Sequence, residues 1–530
     1  MNLKCVAKLI MKPIALVLVS PLLAVPRLSR VRVLQGVVML ISFVATAAFA
    51  GSATWKASPS SGNWNTAANW TPATIPNGTA DIAAFAFSNI RNVSFAADTE
   101  VNGIVFNAGA SPFTLVNQAP TVTISGTGIT NNSGIVQNFT PGPGQIVFAN
   151  SATAGSLTSF TNGGAIAFTG SSSAGNATFS NNGELTFLNT STAGNATVIN
   201  VGGKVSGTGG AIIAFETGST AGNAMITSNG GTVSGALNAE TLFRGNAGNA
   251  TLIANGGSGG GPGGLVRFVD TSSGGTARVA VFGNGNLDIS GHSAPGLTIG
   301  SIEGSGRVFL GSRKLTVGRN NQNTNFSGSI QDGGANGGIG GSLAKTGTGE
   351  LVLARRNTYT GSTIITRGHL TVNNQGGSAT GSGPVQVNGG FLGGFGAITG
   401  AVNVGNGVTA GAVLLPGNAG TAGSLTINNN LTFNPLSTYE CVLDRTIPAV
   451  GKINALGVII HSGVTFEFVD RTIGILAPGT VFTAINNISA NPIGGTFANL
   501  ADGATFSSSG NTFKAHYDGG TGNDLVLTVQ

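Results

Sequence analysis

The sequence contains few charged residues, few tryptophans and tyrosines, and only two cysteines. Charged residues make up 8% of the 530 residues, so Gly, Ser, Thr and Asn must supply most of the polar surface. Cys5 lies in a basic first segment, which leaves residues 51–530 with Cys441 alone and no internal disulfide. Folded stability must therefore come from core packing and from backbone hydrogen bonds. Hydrophobic content of 41% is enough to form such a core.

The first 50 residues have the composition of an export signal. They contain six basic residues and no acidic residue, and an apolar run from Val37 to Phe49 ends in the small-residue cleavage pattern Ala48-Phe49-Ala50. We therefore expect residues 1–50 to be a signal peptide. The expected location is extracellular or on the outer cell surface, with the periplasm as the alternative. A second apolar stretch at residues 14–25 indicates an extended leader or a start codon assigned too early, and a helical hairpin anchor is the competing interpretation.

Removal of this leader changes the meaning of the basic pI of about 9.6. The whole chain has 24 basic and 18 acidic residues, and the six basic residues of the leader leave 18 of each sign. The remaining chain is thus neutral, and its charge does not indicate a nucleic-acid partner. No segment after residue 50 is apolar enough to predict a transmembrane helix.

Residues 150–290 carry an internal repeat built on the phrase Ala-Gly-Asn-Ala-Thr. Its glycines are spaced by 20, 19, 28, 26 and 27 residues and are Gly155, Gly175, Gly194, Gly222, Gly248 and Gly275. Short apolar-polar alternations separate the copies, which predicts strands with one face inward. Asn-Gly and Gly-Gly pairs between the strands predict turns with positive φ. This period, with two or three short strands in each copy, is typical of one coil of a parallel β-helix.

Equivalent residues of successive coils should lie directly above one another. We expect Phe168 and Phe187 to belong to an aromatic ladder inside the coils. An amide ladder is expected at the turn that carries Asn176, Asn195, Asn223 and Asn249. Coils of about 22 residues over some 375 residues would stack to roughly 80 Å.

The predicted fold is all-β, a right-handed parallel β-helix with a β cap at each end. Five segments are expected. They are 1–50, the signal peptide; 51–125, an N-terminal cap that holds Trp55, Trp64 and Trp70; 126–339, the β-helix with the Ala-Gly-Asn-Ala-Thr repeats; 340–440, a continuing β-helix with a different repeat; and 441–530, the C-terminal cap.

That different repeat begins with residues 345–349, Lys-Thr-Gly-Thr-Gly, continues with residues 357–361, Asn-Thr-Tyr-Thr-Gly, and ends with residues 368–372, Gly-His-Leu-Thr-Val. It resembles the autotransporter-associated β-strand repeat, which occurs in passenger regions of bacterial surface and secreted proteins. The resemblance implies a right-handed β-helix, export and a surface role. It implies no catalytic residue and no cofactor. Strands of about ten residues with aromatic girdles are absent, so we expect no translocator barrel in this sequence.

A local excess of positive charge supplies the candidate ligand site. Residues 298–370 contain eight basic residues against three acidic ones, whereas residues 51–530 as a whole are neutral. The favoured interpretation of this excess is a solvated face that discourages lateral association of sheets. The functional alternative is binding of a cell-surface or extracellular acidic polysaccharide or lipopolysaccharide, with Arg355, Arg356 and Arg367 as the predicted ligand-binding residues.

Histidines, a glycine-rich turn and carboxylate pairs are the other candidate chemical sites of the sequence. No two histidines have metal-ligand spacing, so no metal centre is predicted. The residues 519–527 match one copy of a calcium-binding nonapeptide, which makes Asp524 a weak calcium-turn candidate and otherwise a polar turn. Carboxylates that could act as a pair on a glycosidic bond are Glu467 with Asp470, and Asp98 with Glu100.

These observations predict a non-catalytic structural or adhesive surface scaffold without a cofactor. One alternative is a polysaccharide lyase or hydrolase on the same β-helix, with a cleft assembled from distant coils. Another is a carbohydrate-binding module at residues 51–125, in which Trp55, Trp64 and Trp70 would stack on sugars instead of filling a cap.

Overall fold

The structure is a computed structural model that describes residues 51–418, 420–445, 449–470 and 474–530, all within one compact unit. The predicted signal peptide, residues 1–50, lies outside the described residues. The described part is all-β and forms a parallel β-solenoid of about 17 turns, as the sequence predicts. Its only helix among the described residues is a single 3₁₀ turn at Ala67–Asn69.

The first half of the chain forms strands of mostly four residues. They are β1 (Ala53–Trp55), β2 (Trp70–Thr71), β3 (Gly78–Phe85), β4 (Asn92–Phe95), β5 (Thr99–Phe106), β6 (Thr114–Asn117), β7 (Thr121–Asn131), β8 (Gln137–Pro141), β9 (Gln145–Phe148), β10 (Thr158–Asn162), β11 (Ala165–Phe168), β12 (Thr178–Asn181), β13 (Glu184–Phe187), β14 (Thr197–Asn200), β15 (Ile212–Phe215), β16 (Met225–Ser228), β17 (Glu240–Phe243), β18 (Thr251–Ala254), β19 (Leu265–Phe268), β20 (Arg278–Val281) and β21 (Asn286–Asp288).

The second half continues with strands that lengthen toward the C-terminus. They are β22 (Gly296–Ile299), β23 (Ser301–Gly304), β24 (Arg307–Phe309), β25 (Lys314–Val317), β26 (Thr324–Phe326), β27 (Ser329–Gln331), β28 (Ser342–Lys345), β29 (Glu350–Leu353), β30 (Thr363–Ile365), β31 (His369–Val372), β32 (Val385–Val387), β33 (Gly390–Gly394), β34 (Ala397–Ile398), β35 (Val402–Val404), β36 (Ala412–Asn418), β37 (Thr421–Ala422), β38 (Ser424–Phe433), β39 (Ser437–Asp444), β40 (Ala449–Val450), β41 (Lys452–Ile460), β42 (Thr465–Asp470), β43 (Val481–Asn487), β44 (Thr505–Ser508), β45 (Asn511–Gly519) and β46 (Asp524–Val529).

Three sheets run along the solenoid. The first sheet has the order β2-β1-β3-β5-β7-β9-β11-β13-β15-β17-β19-β21-β24-β27. The second sheet is a parallel ladder of one strand from each coil, in the order β4-β6-β8-β10-β12-β14-β16-β18-β20-β23-β26-β29-β31-β33-β36-β39-β42. The third sheet has the order β22-β25-β28-β30-β32-β35-β38-β41-β43-β46-β45-β44.

The cross-section of the solenoid changes along the chain. Coils before residue 296 use the first and second sheets, and a column of single bridges forms the remaining side at Thr153, Ser173, Thr192, Thr220, Asn246 and Ser273. These bridges reproduce the sequence spacings of 20, 19, 28, 26 and 27 residues. The third sheet begins at β22, and the first sheet ends at β27. The strands of the later coils therefore belong to the second and third sheets.

Phenylalanines fill the interior of the early coils. Their rings stack in parallel along the first sheet with centroids 4.7 to 4.9 Å apart, in the series Phe148, Phe168, Phe187, Phe215, Phe243 and Phe268. This confirms the predicted aromatic ladder. The ring spacing matches the separation of neighbouring strands, because each coil places the same position one strand further along.

Two asparagine ladders link the same coils. The predicted one is confirmed, since the amide of Asn195 donates to Asn176, that of Asn223 to Asn195 and that of Asn249 to Asn223, at 3.0, 3.1 and 3.2 Å. A second ladder is fully buried and was not predicted. In it Asn162 donates to Asn181 at 2.7 Å and Asn181 to Asn200 at 2.8 Å.

The predicted turn geometry is only partly correct. Positive φ is absent from Asn162-Gly163 and from the glycine after Asn182, so the Asn-Gly prediction is wrong there. Asn162 and Asn181 instead end β10 and β12 in extended geometry, with their amide groups turned inward. Positive φ occurs at the glycine of the Ala-Gly-Asn phrase, for example 62° at Gly175 and 60° at Gly194. A side chain at Gly175 would also meet the carbonyl oxygen of Gly155 at 2.6 Å.

The two ends of the solenoid differ from its middle. At the N-terminal end β1 pairs antiparallel with β2. At the C-terminal end the pairs β43–β46, β46–β45 and β45–β44 are antiparallel, whereas β43 still pairs parallel with β41. Among the described residues no helix is long and apolar enough to cross a membrane. The boundaries of the five predicted segments stay predictions.

Candidate ligand-binding site

The turn after β29 presents two of the three predicted ligand-binding arginines to solvent. Arg355 and Arg356 are exposed and follow β29, whose inward residues Leu351 and Leu353 are buried. Asn357 fixes the turn, because its Oδ1 accepts from the backbone N–H of Ile330 at 2.7 Å and its Nδ2 donates to Ala379 at 2.5 Å. Residue 330 lies in β27, so the two arginines stand over the end of the first sheet.

A third arginine reaches the same place from an earlier coil. Arg307 begins β24, and it lines a hollow of about 340 Å³ together with Arg355 and Arg356. Ser305 and Ser329 contribute hydroxyl groups to this hollow. An adjoining hollow of about 500 Å³ shares Arg355 and adds Ser327, Ala354, Asn373 and Gln375. The lining of both hollows contains no carboxylate. We call Arg307, Arg355 and Arg356 with these hollows the arginine site.

The arginines of the preceding coils have a different environment. Arg244 contacts Glu216 at 2.8 Å and Asp270 at 3.6 Å, and Arg267 contacts Glu240 at 3.3 Å. Arg278 likewise pairs with Glu303. Each of these carboxylates comes from a neighbouring coil, so the positive charge is balanced along the stack. Within the described part of the chain, the guanidinium groups of the arginine site have no such partner.

The remaining members of the predicted charge excess are dispersed. Arg367 precedes β31, whereas Arg355 follows β29, so they lie at opposite ends of these parallel strands and Arg367 does not belong to the arginine site. Lys345 is 1% exposed and is no part of a solvated face. Its Nζ donates to the carbonyl oxygens of Thr346 at 2.6 Å and Gly347 at 3.2 Å. Burial lowers the pKa of Lys345 to about 8.

Arg307 is the residue of this site that the sequence did not indicate as a ligand contact. It is 48 residues from Arg355, and the intervening coils differ in length. The charge excess included Arg307, but only the three-dimensional stacking shows which members of that excess converge. The other residues of the Asn-Thr-Tyr-Thr-Gly phrase hold the coils together. Tyr359 donates or accepts a 2.5 Å hydrogen bond with Thr363, and Thr360 donates to Asp332 at 2.6 Å.

The three tryptophans are core residues and cannot stack on a sugar. Trp55, Trp64 and Trp70 are 1%, 0% and 0% exposed, and ring centroids of neighbouring indoles lie 4.9 and 4.8 Å apart in edge-to-face contact. Each indole N–H donates to a backbone carbonyl. The carbohydrate-binding interpretation of residues 51–125 is therefore wrong in this form.

The predicted carboxylate pairs are partly engaged in other contacts. A glycosidase needs two carboxyl groups that face one bond. The carboxylate of Asp470 is bound by Arg445, whereas Glu467 is exposed, so these two residues do not form such a pair. Asp98 accepts a hydrogen bond from the backbone N–H of Thr121 at 2.8 Å.

Asp524 has a structural role in the last turn. Its side chain belongs to a residue that is 4% exposed, and its Oδ1 accepts from the backbone N–H of Asn487 at 2.9 Å. A different group, Asp502, His516 and Asp518, brings three potential metal ligands within 4.8 Å of one another in the described part of the chain. Both aspartates are exposed, and Asp502 already accepts from the backbone N–H of Tyr517. No further observation indicates a bound ion.

The histidines fall into two environments. His292 is 7% exposed, and its ring nitrogens lie 2.7 Å from the carbonyl oxygens of Ser293 and Ser272. His369 is partly exposed, and its ring stacks on Phe391 with centroids 4.3 Å apart and planes within 5°. His292 is therefore buried between two coils, whereas His369 faces the outside of the solenoid.

No protein-family model and no curated protein sequence matches the chain.

Proposed function

We propose that this protein is a non-catalytic, exported scaffold that binds acidic polysaccharide at the cell surface through the arginine site. The solenoid supplies a rigid support, since each coil is fixed to the next by strand pairing and by stacked side chains. The leader-like residues 1–50 and the resemblance of residues 343–373 to the autotransporter-associated repeat favour export and a bacterial surface.

One observation carries this proposal. Arg244, Arg267 and Arg278 are matched by carboxylates from neighbouring coils, whereas Arg307, Arg355 and Arg356 line a shared hollow that contains none. Three guanidinium groups held together repel one another, and a bound anion relieves that repulsion. Guanidinium forms paired hydrogen bonds with carboxylate or sulfate groups, which are the charged groups of acidic polysaccharides. The hydroxyls of Ser305 and Ser329 add uncharged donors beside them.

The test is calorimetric titration of the full chain with polygalacturonate and with heparin, with dextran as the uncharged control. We expect saturable binding of the charged polymers. The double variant Arg355→Ala/Arg356→Ala should weaken it at least about tenfold, which is about 1.4 kcal/mol. The matched variant Arg91→Ala/Arg319→Ala removes the same charge from exposed positions outside the site and should retain the affinity within about threefold.

Three results would contradict the proposal. An equal loss of affinity in both double variants would show that binding depends only on the net charge of the protein. Self-association of Arg355→Ala/Arg356→Ala, without any polysaccharide binding by the unmodified protein, would assign these arginines to protection of the β27 edge. Release of oligosaccharides during the titration would show catalysis and refute the non-enzymatic role.

A further inference from the structure

A groove on the outer face of the second sheet has the properties of a second ligand site. It encloses about 480 Å³ and is bounded by β29, β31, β33 and β36. Ligand pockets in proteins commonly have volumes of roughly 300–1,000 Å³. The groove is lined by Glu350, His369, Thr371, Phe391, Gly393 and Asn418, among others, and we call it the His369 groove.

Two neighbouring columns of side chains build this groove. Glu350, His369 and Phe391 are register partners in three successive strands, so their side chains point the same way and form one wall. Thr371 and Gly393 are partners in the adjacent outward column. Gly393 lets the backbone of β36 come close at this position, because a Cβ there would lie 2.4 Å from the carbonyl oxygen of Leu415. The floor of the groove beside the stacked rings is therefore backbone, and the register of β33 with β36 shifts between Gly393 and Gly394.

The polar groups of the groove are fixed by the surrounding coils. Oε1 of Glu350 accepts from the hydroxyl of Thr371 at 2.5 Å, and the backbone N–H of Glu350 donates to Asn323 at 2.8 Å. Oδ1 of Asn418 accepts from the backbone N–H groups of Gly420 and Thr421 at 3.1 and 3.0 Å. Among the described residues, Oε2 of Glu350 and the Nδ2 groups of both asparagines have no partner. The groove thus offers an acceptor and several donors in defined positions.

This set of groups favours an uncharged polyhydroxylated ligand. A carboxylate in the wall disfavours an anion, and the groove contains no second carboxylate to hold a cation. Burial lowers the pKa of His369, against the opposing effect of Glu350, and this favours the neutral ring, which offers one donor and one acceptor. Hydroxyl groups both donate and accept, and ring carbons of a sugar can contact the apolar edges of His369 and Phe391.

We infer that the His369 groove binds a neutral sugar residue of a polysaccharide, with Glu350 accepting hydrogen bonds from its hydroxyls and Phe391 contacting its ring. This inference concerns a site separate from the arginine site and does not depend on it. The His369 groove would bind an uncharged sugar, whereas the arginine site would bind the acidic groups of a polysaccharide.

The experiment uses the full chain labelled at the histidine Cε1 carbons, which gives signals from His292, His369, His461 and His516. The His369→Gln variant assigns the signal of interest. The probes are malto-, cello-, xylo- and galacto-oligosaccharides. We expect at least one of them to shift the His369 signal saturably at pH 7.5 while the other three signals stay unchanged.

Substitutions then test the contacts. Glu350→Gln and Phe391→Ala should each weaken the binding at least about tenfold, and Phe391→Tyr should keep it. Phe87→Ala, at an exposed phenylalanine near the other end of the chain, is the matched control and should have no effect. Glu350→Gln keeps the shape of the side chain, so its result holds even if Phe391→Ala perturbs folding.

No shift of the His369 signal by any probe would refute the inference. Binding of unchanged affinity in both Glu350→Gln and Phe391→Ala would refute it equally. The arginine-site variant Arg355→Ala/Arg356→Ala should bind these uncharged probes normally, so failure of the proposed function and failure of this inference are distinguishable.

Discussion

The ammonium group of Lys345 donates a hydrogen bond to the carbonyl oxygen of Arg367, 3.3 Å away in the next coil. Together with the carbonyls of Thr346 and Gly347, this gives each ammonium proton an acceptor in a site that is closed to solvent. The lysine that opens the Lys-Thr-Gly-Thr-Gly phrase therefore joins two coils. It does not contribute to a charged surface.

Replacement of this lysine should destabilise the solenoid. Lys345→Met fills a similar volume but leaves three carbonyl oxygens without a donor, and we expect a loss of roughly 2–4 kcal/mol in the free energy of unfolding. Urea unfolding followed by circular dichroism measures this change. Lys204→Met, at an exposed lysine, is the matched control and should change stability by less than about 0.5 kcal/mol. Equal effects of both substitutions would show that the three hydrogen bonds contribute nothing.

The same lysine should give stability a dependence on pH. Its pKa is lowered from 10.5 to about 8 in the folded protein, so between these values the unfolded chain holds more protons than the folded one. By linkage, the contribution of Lys345 to the free energy of unfolding then rises with pH from about 8 to 10.5. The difference in urea midpoint between the unmodified protein and Lys345→Met should therefore grow across that range. A constant difference would contradict the lowered pKa.

The stacked core could be predicted from the sequence because it depends on the spacing of repeated residues. The positions of Phe168 and Phe187, and of Asn176 and Asn195, give their ladders directly once coils of 19 to 28 residues are assumed. The buried amide ladder was missed because Asn181 precedes an Asn-Gly pair, which favours a turn with positive φ. Asn181 nevertheless points inward, because its amide there donates hydrogen bonds to Asn200 and to the carbonyl oxygen of Ile212.

The binding sites could be predicted less well, since they depend on how coils of unequal length align. Arg355 and Arg356 were recognised by their local charge, but the approach of Arg307 follows from the alignment of β24 with β27 and from the end of the first sheet there. The His369 groove had no sequence signal of its own. It depends on the register of β29, β31 and β33, which places Glu350, His369 and Phe391 side by side, and on the close approach of β36 to Gly393, one glycine among 87.

Burial should separate the two asparagine ladders energetically. Asn181 is inaccessible and donates to Asn200 and to the carbonyl of Ile212 at 3.0 Å, whereas Asn195 is exposed. Asn181→Leu should cost roughly 2–4 kcal/mol, because it leaves buried polar partners unpaired. Asn195→Leu should cost less than about 1 kcal/mol, since water replaces the lost bonds. Urea unfolding of the two variants provides the comparison, and similar costs would show that burial does not decide the strength of these ladders.

The phenylalanine stack should be sensitive to the volume of each ring. Phe215 lies between Phe187 and Phe243 at 4.7 and 4.8 Å and is not accessible to solvent. Phe215→Ala should lower the free energy of unfolding by about 3–5 kcal/mol through the cavity it leaves, and Phe215→Leu by less. Phe87→Ala, at an exposed ring, should have little effect. Thermal and urea unfolding would test this order, and a mild effect of Phe215→Ala would mean that neighbouring coils collapse into the gap.

Salt should distinguish the arginine site from a purely steric contact. Added salt shortens the Debye length from about 10 Å at 0.1 M to about 3 Å at 1 M and so screens ionic contacts. The affinity for heparin should therefore fall steadily as the NaCl concentration is raised. If Arg307, Arg355 and Arg356 make the ionic contacts, the slope of log affinity against log salt should become shallower in Arg355→Ala/Arg356→Ala. The slope should stay the same in Arg91→Ala/Arg319→Ala, because those arginines lie outside the hollow. Titrations at a series of salt concentrations measure both slopes. An equal change of slope in the two variants would show that the polymer senses overall charge, and the lack of a carboxylate in the hollow would then have no consequence for binding.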